Sequence, residues 1–142
     1  FGGINKEEAH LLLQELEAYI QRIGGSRILE ERIDFGIISP YKAQVQYLRN
    51  KIKADASLKP YRSLFTVNTV DGFQGQERDV IFISLVRANE EGQIGFLNDL
   101  RRMNVAITRA RMKLVILGEA ETLKHHGFYR KLLEFIQNIG NQ

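Results

Sequence analysis

The 142-residue sequence contains no cysteine, and its uninterrupted apolar runs are short. The absence of cysteine excludes disulfides and any metal site built on thiolates. A helix that crosses a bilayer needs about 20 consecutive apolar residues, so we expect no membrane partner. The first residues show no signal peptide.

Motifs of several enzyme classes are also missing. The chain has no Gly-Lys dipeptide, which excludes a G-x-x-x-x-G-K-[ST] loop that cradles phosphates, and it has no G-x-G-x-x-G. His10 and the pair His125-His126 lack metal-ligand spacing, so we predict no metal site. Neither Ser39 nor Ser84 has a histidine nearby in sequence, which leaves nucleophilic catalysis without support.

Length and composition indicate a single domain. A chain of this length with 44% hydrophobic residues is sufficient for one sizeable core. The formal charge of +3 permits contact with nucleic acid but does not argue for it. Because the chain begins with phenylalanine, we expect residues 1–142 to be a single domain excised from a longer protein.

Short apolar strands alternate with amphipathic helices along the chain. Strands are predicted at residues 35–39, 64–68, 80–86 and 113–118, and helices at 5–23, after Pro40, at 99–111 and at 120–139. Asn5 with Glu8 is typical of a helix N-terminus, and Gly24-Gly25 ends that helix. The strands are apolar on both faces, which predicts an α/β fold of three layers, with a mainly parallel central sheet and helices on both faces. The connection from 68 to 80 is compatible with a broad hairpin or a short crossover.

The connection "TVDGFQGQERDV", residues 69–80, is the first candidate site. Ligands of open α/β sheets gather at the carboxyl ends of the strands, where this segment and Ser39 begin polar stretches. Gly72 and Gly75 allow a ligand to approach the backbone closely. Gln74 and Glu77 carry groups that bind hydroxyls and amides. The alternative is a mobile polar loop.

The second candidate is the predicted helix that contains "RRMNVAITRAR", with four arginines in residues 101–111. Helical geometry places Arg102 and Arg109 on one face, opposite Met103 and Ile107. Two stacked guanidinium groups suit a phosphate. An ordinary exposed basic face is the alternative, and helix statistics alone favour it.

Three segments in order carry a specific resemblance: "GIISPYKAQV" at 36–45, "VNTVDGFQGQERDVIFISLVRAN" at 67–89 and "GFLNDLRRMNVAITRARMKLVILG" at 95–118. Together they resemble the C-terminal motor domain of superfamily 1 helicases, in the Upf-like group that includes senataxin. Such enzymes have two RecA-like domains, with ATP in the cleft between them. The resemblance therefore implies a RecA-like fold and an intracellular protein, in the cytoplasm or the nucleus.

The resemblance also implies partners and cofactors. This chain looks like the second RecA-like domain, and its partners would be the N-terminal RecA-like domain of the same parent and single-stranded DNA or RNA. ATP with Mg²⁺ would be held mainly by that first domain, which carries the P-loop. The isolated fragment is therefore expected to be inactive as an ATPase.

Individual roles carry over by position. The resemblance places the arginine that reaches the γ-phosphate at Arg109, and nucleotide contacts at Glu77 and Gly75. It places single-strand contacts at Thr69, Gln74 and Ser39. Gly72 departs from the family, because many relatives carry serine there. The competing interpretation is a RecA-like module that binds nucleic acid or a partner without catalysis, and the retained Arg109 and Glu77 favour the motor.

Overall fold

The computed structural model describes residues 3–73, 75–86 and 110–117. They form a four-stranded sheet in the order β2-β1-β3-β4, in which every pair of neighbours is parallel. The elements are α1 (Lys6–Ile23), α2 (Gly25–Glu31), β1 (Phe35–Ser39), α3 (Lys42–Ala54), a 3-10 helix (Ala56–Leu64), β2 (Phe65–Thr69), a 3-10 turn (Asp71–Phe73), β3 (Arg78–Ser84) and β4 (Ala110–Leu117). None of the helices in these ranges is long and apolar enough to cross a membrane.

One face of the sheet holds the main core. Because side chains alternate along a strand, Phe35, Ile37, Val80 and Phe82 point to the same side, and all four are fully buried. The apolar stripe of α1 packs there with residues from α2 and α3. The predicted α/β fold with a parallel sheet is confirmed. Residues 99–109 of the helix predicted at 99–111 lie outside the described residues, as does the whole helix predicted at 120–139.

The N-terminus of α1 is anchored to the carboxyl end of β3. Asn5 accepts a hydrogen bond from the Glu8 backbone N–H at 2.9 Å, so the predicted cap is confirmed. The buried Glu8 carboxylate accepts bonds from the Ser84 hydroxyl at 2.6 Å and the Val86 N–H at 2.9 Å.

Several predicted boundaries are wrong. The helix predicted at 99–111 does not include Ala110 and Arg111, because both belong to β4, where Ala110 pairs with Arg78. Gly24 ends α1 as predicted, but α2 begins at the next residue, Gly25. Helix α3 begins at Lys42, two residues later than Pro40 suggested. Strand β1 has the predicted bounds, β2 is shifted by one residue and β3 by two, and β4 begins three residues before the predicted start at 113.

The connection between β2 and β3 is a crossover, which resolves the choice left open by the sequence. Both strands lie parallel to β1 and on opposite sides of it, so the chain must return along the whole length of β1. Residues 70–77 cover that distance, and they include the 3-10 turn Asp71–Phe73. Phe73, in the middle of the connection, is 1% exposed and packs against Gly36 of β1. The polar segment is long because it traverses the sheet.

Candidate functional site

The carboxyl edge of the sheet brings together two of the predicted nucleic-acid contacts. Ser39 and Thr69 end adjacent strands and are register partners. The Val70 N–H donates to the Ser39 carbonyl at 3.3 Å and extends that pairing into the loop. The Ser39 side chain is fully buried, and its hydroxyl accepts a bond from the Tyr41 N–H at 3.3 Å. Ser39 therefore shapes the turn into α3 and offers little surface to a ligand.

Thr69 lies in an open groove between α3 and the end of β2. The groove has a volume of about 440 Å³, and no acidic residue is among the described residues that line it. We name it the Thr69 groove, and its polar lining consists of Lys42, Gln46, Arg49, Asn68 and Thr69. Lys42 and Arg49 are exposed and give the groove a positive charge. Such a surface suits the backbone of a single strand.

Two side chains of the Thr69 groove also form hydrogen bonds to the backbone that lines it. Arg49 donates through Nε and Nη2 to the Val67 carbonyl at 3.0 and 2.7 Å, which satisfies the outer side of β2. Asn68 accepts a bond from the Thr69 N–H at 2.8 Å, and its amide occupies the space beside Gly72. A Cβ at Gly72 would lie 2.4 Å from the Asn68 Oδ1, so serine does not fit there without moving Asn68.

Sequence reasoning missed the α3 side of this groove, although the signal was present. Lys42, Gln46 and Arg49 follow the i, i+4, i+7 spacing that places side chains on one helix face. Asn68 had no comparable signal, because its orientation depends on the turn that follows β2.

The crossover ends at the opposite edge of the sheet. Gly75 has φ of +80°, a left-handed conformation that favours glycine, and no atom lies within 4 Å of the position that a Cβ would occupy. Arg78 then turns back over the Phe73 ring, with its guanidinium carbon 5.3 Å from the ring centroid. Glu77 and Arg78 therefore stand at the amino edge, one strand length from Thr69. The polar segment therefore begins at the carboxyl ends of the strands, at Thr69, and finishes at their amino ends.

At the amino edge Arg111 binds three carboxylates, and these four residues are named the Arg111 cluster. Its Nε donates to Asp79 Oδ1 at 2.9 Å, Nη1 to Glu77 Oε2 at 3.3 Å, and Nη2 to Asp34 Oδ1 at 3.2 Å. Asp34 and Asp79 also bond each other's backbone N–H groups, at 3.1 and 2.7 Å. These bonds join the N-terminal ends of β1, β3 and β4 at one point.

The Arg111 cluster shifts the pKa values of its members. Burial by itself raises the pKa of Asp79, but the hydrogen bonds from Arg111 and from the Asp34 backbone outweigh it, so the pKa lies below its usual value. The bond to Asp79 raises the pKa of Arg111 despite partial desolvation. Both shifts favour the ionised pair. No pattern in the sequence predicts the Arg111 cluster, because the cluster depends on the register of three strands.

Gln74, Arg102 and Arg109 lie outside the described residues. Arg109 directly precedes Ala110 in the chain, and Ala110 pairs with Arg78 at the amino edge. The described residues contain no group of three or more His, Asp or Glu side chains placed to hold a metal ion.

Comparisons with known proteins give the family. A family model described as "AAA domain" matches residues 2–121. The chain is 46% identical over 99 residues to Helicase sen1 of Schizosaccharomyces pombe, which covers 70% of the chain and 6% of that protein. It is 39% identical over 132 residues to the Regulator of nonsense transcripts 1 homolog of Arabidopsis thaliana, covering 92% and 10%.

A third relative is named an ATP-dependent helicase, from Methanocaldococcus jannaschii. It is 37% identical over 127 residues, which cover 89% of the chain and 18% of the relative. The chain thus spans less than a fifth of the length of each of these three relatives. From the family match, the parallel α/β sheet and the helicase relatives, we conclude that the chain belongs to the AAA domain family and, within it, to the superfamily 1 helicases of the Upf-like and senataxin-like group.

Proposed function

We propose that residues 1–142 are the second, C-terminal motor domain of an ATP-dependent DNA or RNA helicase. In this role the domain supplies an arginine finger and single-strand contacts for ATP-driven translocation and unwinding. The observation that carries the proposal is the path of the crossover, which runs from Thr69 at one edge of the sheet to Glu77 at the other. A segment that reaches both edges is suited to couple a grip on nucleic acid to the state of a nucleotide.

The single strand is assigned to the carboxyl edge. Thr69 is half-buried and lines the Thr69 groove together with the cationic Lys42, and these groups suit a phosphate and its sugar. Gln74 adds an amide on the same loop. Ser39 contributes indirectly, because its buried hydroxyl fixes the turn that begins α3. Contacts of this kind bind the backbone and are indifferent to base sequence.

The nucleotide is assigned to the amino edge, and the residues present there fit it. The Glu77 side chain is 52% exposed, so its carboxylate is accessible to nucleotide hydroxyls. The open space around Gly75 lets a ligand approach its backbone. When bound, ATP with Mg²⁺ supplies the free energy of phosphoryl transfer. The first motor domain of the parent, which is the intramolecular partner in this proposal, would carry most of its binding groups.

Arg109 is assigned as the arginine finger. Its chain neighbour Ala110 pairs with Arg78 at the amino edge, next to Glu77. A guanidinium placed beside a γ-phosphate stabilises the negative charge that spreads over its oxygens during transfer. Two described arginines lie close to Glu77, and both are already bonded. Arg111 donates to three carboxylates, and Arg78 donates to the Thr66 hydroxyl, the Gln76 amide oxygen and the Glu77 carbonyl.

The test is Arg109→Ala in the protein that carries both motor domains, with ATP hydrolysis measured in the presence of single-stranded nucleic acid. Arginine fingers contribute roughly 10³–10⁵ in turnover, or on the order of 4–7 kcal/mol of barrier. We expect a loss in that range while single-strand binding persists. Arg109→Lys should fail as well, because a point charge does not reproduce the planar fork.

The matched control is Arg27→Ala. Arg27 is exposed in α2 and pairs with Glu31, and it is distant in sequence from both Thr69 and Glu77. It should retain full turnover. If Arg109→Ala keeps its turnover, the chain acts as a RecA-like module that binds nucleic acid or a partner without catalysis.

A further inference from the structure

Arg111 uses each of its guanidinium nitrogens for a different carboxylate. Two of the three partners, Asp34 and Asp79, flank the starts of β1 and β3 and are fixed by bonds to each other's backbone. They hold the guanidinium plane through Nη2 and Nε. The remaining nitrogen, Nη1, is thereby aimed at Glu77, whose Oε2 lies 3.3 Å away.

From this arrangement we infer that Arg111 is a positioning residue, which holds the Glu77 carboxylate in place for contact with a nucleotide. The inference rests on the proposed function, since it concerns the nucleotide contact assigned to Glu77. Glu77 is a half-exposed side chain just before β3, and such side chains otherwise sample several rotamers. A bond to a rigidly held guanidinium restricts that sampling before the nucleotide arrives, which favours binding.

The competing explanation is that Arg111 only locks the strand register. The Asp34–Asp79 bonds already join β1 to β3, and backbone pairing joins β3 to β4. The bond to Glu77 adds little to either, because Glu77 precedes β3 and takes no part in the ladder. A register lock therefore accounts for two of the three ion pairs and leaves the third unexplained.

A double-mutant cycle between Arg111→Ala and Glu77→Ala separates the two explanations. The protein with both motor domains is used, with ATP as the probe, at a temperature where every variant is folded by its melting curve. If Arg111 acts through Glu77, each single variant raises KM for ATP on the order of ten-fold, the usual factor for a hydrogen bond to a charged group. The double variant is then no worse than Glu77→Ala.

Charge alone is controlled by Lys113→Ala, which removes an exposed cation two residues further along β4 and should leave KM unchanged. Arg111→Lys keeps the charge but not the fork, so it should also raise KM. The inference is overturned if Arg111→Ala lowers only the melting temperature, or if its effect on KM is undiminished in the Glu77→Ala background. It also fails if Glu77→Ala leaves KM unchanged.

Arg109→Ala in the same protein distinguishes failure of this inference from failure of the proposed function. When Arg109→Ala abolishes turnover but the cycle shows independent effects, only the positioning role of Arg111 is lost. When turnover survives Arg109→Ala, the motor assignment itself fails.

Discussion

Thr69 has both a structural contact and a proposed binding role. Its hydroxyl accepts a bond from the Gly72 N–H at 3.2 Å and so shapes the start of the crossover, while its exposed side lines the Thr69 groove. A hydroxyl in such a position suits a strand backbone but does not distinguish bases. The same residue therefore links the geometry of the loop to the proposed grip.

We predict that Thr69→Ala and Gln74→Ala weaken single-strand binding about five-fold each, since one neutral hydrogen bond is worth roughly 1 kcal/mol. The loss should be similar for oligonucleotides of different sequence. Fluorescence anisotropy on the two-domain protein measures it. Thr69→Ser keeps the hydroxyl and should bind normally, and a loss confined to one base sequence would contradict backbone recognition.

Asp79 makes the stability of the chain depend on pH. Its pKa is depressed in the folded state, so the ionised form is stabilised by folding. That contribution is fully present above the usual value of 3.8 and is lost as the pH falls through the lower folded value. Arg111 is 44% exposed, so screening limits the contribution to on the order of 1 kcal/mol.

We therefore expect Asp79→Asn to destabilise the chain near neutral pH and to differ less from the natural sequence below about pH 4. Urea unfolding of both at several pH values tests this. A gap that stays constant into the acid range would mean that the substitution acts through packing and not through charge.

At the scale of elements, the crossover between β2 and β3 is the feature on which the proposal depends. It contains the 3-10 turn Asp71–Phe73, and Phe73 of that turn is buried over Gly36 of β1. Arg78 covers the outer side of that ring and bonds Thr66 and Gln76, at 3.0 and 2.8 Å. The loop is polar in sequence, but the buried Phe73 anchors its centre to the sheet.

Gly36→Ala should displace this anchor. The added Cβ would lie 2.5 Å from Phe73 Cζ, closer than packed atoms tolerate. Overpacking of this kind costs about 1–3 kcal/mol, which denaturant unfolding will report. Phe73→Leu in the same chain relieves the contact, so the double variant should lose less stability than the two single losses added together. Simple additivity would show that Phe73 does not rest on Gly36.

At the scale of the whole molecule, the proposal assigns this chain only part of an ATPase. The 142-residue chain has no P-loop of its own. We predict that the purified chain hydrolyses no measurable ATP and binds nucleotide weakly, as judged by a phosphate-release assay and calorimetry. Turnover by the chain that survives Arg109→Ala would overturn the assignment to two domains.

Much of the fold follows from the sequence itself. The apolar periodicity of α1, its Asn5 cap and the buried β-branched strands are local patterns, and each predicts its element through the geometry of a few neighbouring residues. The order of three motifs likewise identifies the family without coordinates. The predicted helix end at residue 111 is wrong, because the helical spacing of apolar residues continues into residues that pair with β3.

Strand order and register could only come from the tertiary structure, because they depend on contacts between residues far apart in the chain. They place Ser39 beside Thr69, and they separate Thr69 from Glu77 by the length of the sheet. They also place Arg111, which was predicted to lie in a helix, in β4 and at the centre of three ion pairs. The sequence determined which groups this protein has for binding, and the pairing of its strands decided which of them meet.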